Sequence, residues 1–154
     1  MTGPIDDRTA AYIIDSQPLF EDFRQVASQL AGLLVLAATG SRDAAPDHPM
    51  LQTADALFRQ TRERVEHTRP TECGRAHRDS LREAGDALGR ALEAVRTLLT
   101  APRAADFDAA LVPLRAGYDH LQQATRALPG FRMVAFEQGC CAGHTASSAI
   151  SLPI

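Results

Sequence analysis

The chain has 154 residues, 45% of them hydrophobic and 23% charged, which suits one globular domain and is too apolar for a disordered chain. Sixteen arginines and no lysine stand against nineteen acidic residues, a formal charge of -3. That balance argues against nucleic-acid or anionic-membrane binding, and the missing lysine excludes Schiff-base and P-loop chemistry.

The first residues, with Asp6, Asp7 and Asp15 against Arg8, show no basic run leading into an apolar stretch and a cleavage site, so no export signal is read there. The longest apolar run, Leu30 to Ala38, falls well short of the roughly 20 residues a membrane helix needs. Cys73, Cys140 and Cys141 are odd in number and include an adjacent pair, a poor disulfide framework; free thiols in a reducing cytoplasm are expected.

Periodicity organises the rest. From residue 17 to 38, Phe20, Phe23, Ala27, Leu30, Leu34 and Ala37 recur at spacings of three and four, which predicts a first helix with Pro18 in its opening turn and Gly40 past its end. Leu19, Val26, Leu33 and Leu36 form a second stripe, more apolar surface than one core needs, so a homodimer through this helix is expected. Residues 41–49 read as a connection. The second helix, 50–68, turns Leu51, Ala54, Phe58, Thr61 and Val65 inward and carries Arg59–Glu63 and Arg62–Glu66 on a solvated face.

The third helix, 71–100, repeats Leu81, Leu88 and Val95 every seven residues, with Ala84, Ala91 and Leu98 between them; extended backwards, the stripe takes in His77 and Cys73. Gly85 and Gly89 point to close helix approach. The fourth helix, 106–128, places Phe107, Leu111, Leu114, Tyr118, Leu121, Thr125 and Leu128 on one side, with a kink or restart expected at Pro113 and Pro129-Gly130 ending it. Residues 131–154 lose the helical period and read as a non-helical tail. The predicted fold is an all-α, antiparallel up-down-up-down four-helix bundle of one domain with that C-terminal tail.

Such a path gathers His67, Cys73, His77 and the tail at one end, His48 at the other, with His120 about two turns up the fourth helix. Cys73 and His77 are four apart, a spacing that puts both on one helix face; Cys140 and His144 repeat it, and Cys141 adds a thiol. Cys73, His77, Cys140, Cys141 and His144 thus form a candidate metal site of ligand types that suit zinc, copper or iron. The same thiols offer a redox reading, with Cys73 in the first turn of the third helix between Arg69 and Arg75. The C-x3-H element with Glu137 upstream resembles that of alkylhydroperoxidase-like thiol proteins over residues 137–144, but the CxxC pair of that family is missing and the assignment is not adopted.

The plainer reading of each residue stands beside these. A cysteine on a core stripe packs as a small hydrophobe, His77 serves as a boundary residue, and His67 beside Glu63 and Glu66 is a surface group. Asp119 and His120 are adjacent and do not face each other on a helix. The chain contains no G-x-S-x-G, H-E-x-x-H, Gly-rich phosphate loop or EF-hand loop, and Glu63 with His67 is one residue too long for a di-iron element. The leading expectation is therefore a non-catalytic module that binds a partner protein or a small apolar ligand, with the metal or thiol site as the alternative.

Overall fold

The computed structural model describes residues 5–104 and 106–131. Four helices account for most of them: α1 (Asp7–Ala38), α2 (Pro49–His67), α3 (Arg75–Thr100) and α4 (Phe107–Ala127), with a short 3-10 turn at Pro102–Ala104. The fold is all-α. Asp22 of α1 meets Thr61 and Arg64 of α2, while Gly32 lies under Met50; Asp55 of α2 meets Arg96 of α3, and Glu66 meets Arg82. Glu83 and Leu88 of α3 face His120 and Gly117 of α4. Each successive pair therefore runs antiparallel. The expected tail, 131–154, lies outside the described residues except for Phe131.

Each start has a local cause. Asp6 caps α1, its carboxylate accepting from the Thr9 N–H at 2.8 Å, and those hydrogen bonds hold its acid below the usual carboxylate range. His48 caps α2 through Nδ1, which accepts from Met50 N–H at 3.1 Å, ahead of Pro49. Asp106 caps α4 by accepting from Asp108 and Ala109. At the end of α1, Gly40 takes φ 67° and Ser41 N–H returns to the Leu36 carbonyl, closing the helix with a left-handed residue.

Helix α1 begins ten residues before its predicted start, and Pro18 lies inside it rather than in its first turn. The reason is that Thr9, Tyr12 and Ser16 are buried on the same face as Leu19, Phe20 and Phe23, so the inward stripe continues backwards in polar residues. Pro113 likewise neither breaks nor restarts α4. Both prolines deprive a carbonyl four residues back, on Ile14 and Ala109, and both of those residues are exposed, where water can satisfy the freed oxygen. Helix α3 starts at Arg75, four residues later than predicted, with Cys73 in the preceding turn.

The core is one cluster that draws on all four helices. Both stripes of α1 enter it: Leu19, Val26 and Leu33 are as buried as Phe23 and Leu30. Leu36 of the second stripe is half-buried, and the large apolar residues left exposed on α1 are Ile14 and Val35. Gly85 and Gly89 do mark close approach, but to aromatic rings. A Cβ on Gly85 would lie 3.0 Å from Phe23 Cζ, and one on Gly89 would lie 3.0 Å from Phe58 Cζ. Between α3 and α4 the line of contact runs through Ala110, Gly117 and Ala124 as well as Leu114 and Leu121.

The charged side of α2 is not a purely solvated face. Arg59 pairs with Asp55 at 3.0 Å rather than Glu63, and Arg62 reaches Asp86 of α3 at 3.2 Å rather than Glu66. Glu66 in turn holds Arg82 at 3.0 Å, and Asp55 holds Arg96 at 3.0 Å. For Arg62, Glu66 and Asp55 the antiparallel neighbour supplies a partner, whereas Arg59 pairs with the preceding turn of its own helix.

Candidate functional site

At the lower end of the bundle His77 is fully buried on α3. Its Nδ1 lies 3.0 Å from the Tyr12 hydroxyl of α1, and the two rings meet edge-on. The Phe131 ring, three residues past Leu128, lies over the imidazole with centroids 4.1 Å apart and also contacts Phe20 at 5.4 Å. Gly74 makes this possible: a Cβ there would come within 2.7 Å of the Tyr12 ring, so a larger residue would push the tyrosine off His77. Ser16 steadies the same turn by donating its hydroxyl to the Tyr12 carbonyl at 2.7 Å, and Thr9 Oγ1 meets Thr71 Oγ1 at 3.1 Å.

Burial pushes the His77 imidazole down to about 4, so it is neutral at pH 7, and burial raises the Tyr12 phenol. A neutral imidazole has one N–H and one lone pair. Nδ1 uses one of these toward Tyr12, and Nε2 carries the other without a hydrogen-bond partner among the described residues. An unpartnered buried nitrogen is costly, by about 1–3 kcal/mol, and is the kind of atom that functional sites leave open.

Of the five predicted ligands, Cys73 and His77 are among the described residues. His77 points into the core toward Tyr12, whereas Cys73 is exposed and sits outside the helix, so the expected helical pairing of Cys73 with His77 on one inward stripe is not formed. The later start of α3 is the cause, because residues 72–74 form a turn and Gly74, not Cys73, faces Tyr12. Cys140, Cys141 and His144 lie outside the described residues. Among the described residues no three His, Cys, Asp or Glu side chains cluster closely enough to hold a metal ion.

Two further histidines among the described residues have partners of their own. His67 is exposed, with Nδ1 2.8 Å from its own helix's Glu63 carbonyl. His120 pairs across to Glu83 of α3 at 3.0 Å, not to Asp119. Comparison with protein-family models, curated proteins and solved structures finds no match to this chain. Among the described residues no helix is long and apolar enough to cross a membrane.

Two recesses were not legible in the sequence. One, of about 240 Å3, lies where the ends of α1 and α3 meet the start of α4, lined by Ala37, Gly40, Ser41, Ala44, Leu98, Leu99, Pro102 and Phe107. Its lining side chains are apolar apart from Ser41. The other, an open groove of about 550 Å3, follows the α2–α3 seam, with Phe58, Gly89 and Leu92 as its floor and Arg59, Arg62, Arg90 and Arg96 interleaved with Asp55, Asp86 and Glu93 along its rims. Both recesses are built from residues distant in the sequence. The scattered small residues at 37–44 and the arginines spaced along α2 and α3 are signals only once the partner helix is known.

Proposed function

We propose that this chain is a non-catalytic binding module whose ligand is a small apolar molecule held at the α1–α3–α4 end. The observation that carries the reading is the 240 Å3 recess, in which Leu98, Leu99, Pro102 and Phe107 face the short side chains Ala37, Ser41 and Ala44. Ligand recesses are concave and mainly apolar with a few polar groups to orient the guest, and this one sets apolar side chains beside Ser41 and polar main chain. Its volume exceeds the roughly 150 Å3 that suffices to hold a benzene-sized molecule in an apolar cavity.

The test is titration of the full chain with indole or toluene, read by melting temperature and by the methyl resonances of Ala37 and Ala44. Saturable shifts confined to those methyls, a rise in melting temperature and loss of both in Ala44→Leu are expected, since the leucine fills the recess. Absence of saturation, or undiminished binding by Ala44→Leu, overturns the reading.

A second reading, a metal or thiol site using Cys73, His77, Cys140, Cys141 and His144, is favoured by one observation. His77 Nε2 is buried without a partner among the described residues while Nδ1 is oriented by Tyr12, as ligating histidines are commonly held through their other nitrogen. Stoichiometric zinc, copper or iron that is lost in His77→Gln would support it. A metal-free protein whose melting is indifferent to chelator would remove it.

A further inference from the structure

The geometry points to the α2–α3 groove as an interaction surface for a short acidic segment of a partner protein. This surface shares no lining residue with the apolar recess, so either idea can fail alone.

The case begins with charge. Four guanidinium groups and three carboxylates line the groove, a local excess of cations in a chain whose formal charge is -3. Every carboxylate is already engaged: Asp55 by Arg59 and Arg96, Asp86 by Arg62, and Glu93 by Arg96. Arg90 is exposed and takes part in no ion pair among the described residues. A guanidinium presents five N–H donors in a planar fork, so the single contacts from Arg59 and Arg62 leave most of their donors directed at solvent, with side chains 72% and 53% exposed. Asp86 and Glu93 each keep one oxygen outside these pairs, but the rims carry one guanidinium more than carboxylates, and Arg90 is open to an incoming carboxylate.

Shape agrees. The rim residues of α3 run from Asp86 to Arg96, about 15 Å at 1.5 Å per residue, room for four or five residues of extended chain. Gly89 leaves the middle of the floor without a side chain, beside the Phe58 ring that carries Arg62 at 6.0 Å. A nucleic-acid strand fits less well, because a continuous phosphate line would meet Asp55, Asp86 and Glu93 along the same rims. A peptide can space its acids between them.

The experiment uses the full chain and a panel of fluorescein-labelled peptides in which glutamate and leucine alternate, each matched to a version with glutamine for glutamate, read by anisotropy. Acidic peptides should bind, lose affinity as salt rises, and bind about tenfold more tightly than their neutral versions. Arg90→Gln, an exposed and unpaired position whose change leaves the fold intact, should weaken binding several-fold, and Arg59→Glu with Arg90→Glu should abolish it with the circular dichroism spectrum unchanged. Failure of every acidic peptide, equal binding of the neutral ones, indifference to Arg90→Gln, or preference for single-stranded DNA would each overturn the assignment.

Discussion

Between pH 6.5 and about 4, His77 takes up a proton in the unfolded chain but not in the folded one, because burial disfavours the imidazolium. The unfolded state then binds more protons, so stability rises with pH across this window: it is fully present above about 6.5 and lost as pH falls through the folded value near 4. The span corresponds to something on the order of 3 kcal/mol at 1.36 kcal/mol per unit. Urea melts from pH 7 to pH 4 should show this slope, and His77→Gln, which keeps a hydrogen-bonding group without titrating in the range, should flatten it. An unaltered slope in the variant would assign the acid sensitivity elsewhere. The importance of this histidine was only half legible. Its place on the heptad stripe of the third helix was readable, but its partners, Tyr12 and Phe131, come from the two ends of the described chain.

At the scale of single helices, glycines separate two outcomes of one substitution. Gly32 in α1 has the Met50 side chain near a would-be Cβ, Sδ at 3.4 Å and Cε at 3.9 Å, ordinary contacts. Gly32→Ala should therefore stabilise the chain by about 0.5–1 kcal/mol, from reduced backbone entropy in the unfolded state. Gly117 in α4 would place its Cβ 2.9 Å from Leu88 Cδ2 and 3.0 Å from Cγ, and Leu88 is fully buried with nowhere to move. Gly117→Ala should destabilise by about 1–2 kcal/mol, overpacking outweighing the helix-propensity gain. Thermal melts of the two variants should move in opposite directions. The same scale explains the prolines. A sequence pattern marks Pro18 and Pro113 as boundaries, but the cost of each depends on whether the carbonyl one turn back is wet, and exposure of Ile14 and Ala109 is a property of the packed bundle.

For the whole molecule, the arrangement of the four helices decides which apolar surface remains. Helix α1 is enclosed by its three neighbours to the point that Leu19, Val26 and Leu33 are buried, and the exposed Ile14 and Val35 lie far apart along it, 21 residues or about 30 Å of helix. Val35→Asp should leave the solution mass by light scattering unaltered. A dimer that falls apart on this substitution would place α1 at its interface. Among the described residues the seam between α2 and α3 is tied by four arginine–carboxylate pairs, where that between α1 and α2 has one, Arg64–Asp22. Such pairs are individually worth about 0–1 kcal/mol, so Asp86→Asn should lower stability by less than about 1 kcal/mol in a urea melt.

Helix number, the inward faces of α2 and α3 and the end of α1 at Gly40 were determined by the sequence alone, because hydrophobic period and stop signals are local properties that neighbouring residues specify without outside help. The start of α1 was partly written there too, in the capping Asp6 and the polar continuation Thr9, Tyr12 and Ser16, but an apolar-only reading of the stripe passes over it. The partners, by contrast, were set by the packing of the four helices. Arg62 turned to Asp86, His120 to Glu83 and His77 to Tyr12 because side chains on adjacent helices came nearer than those one turn away, and Cys73 left the core stripe because Gly74 alone leaves room for the tyrosine ring. Proximity between helices depends on crossing geometry and side-chain volume summed over the whole core, and no local spacing rule contains that sum.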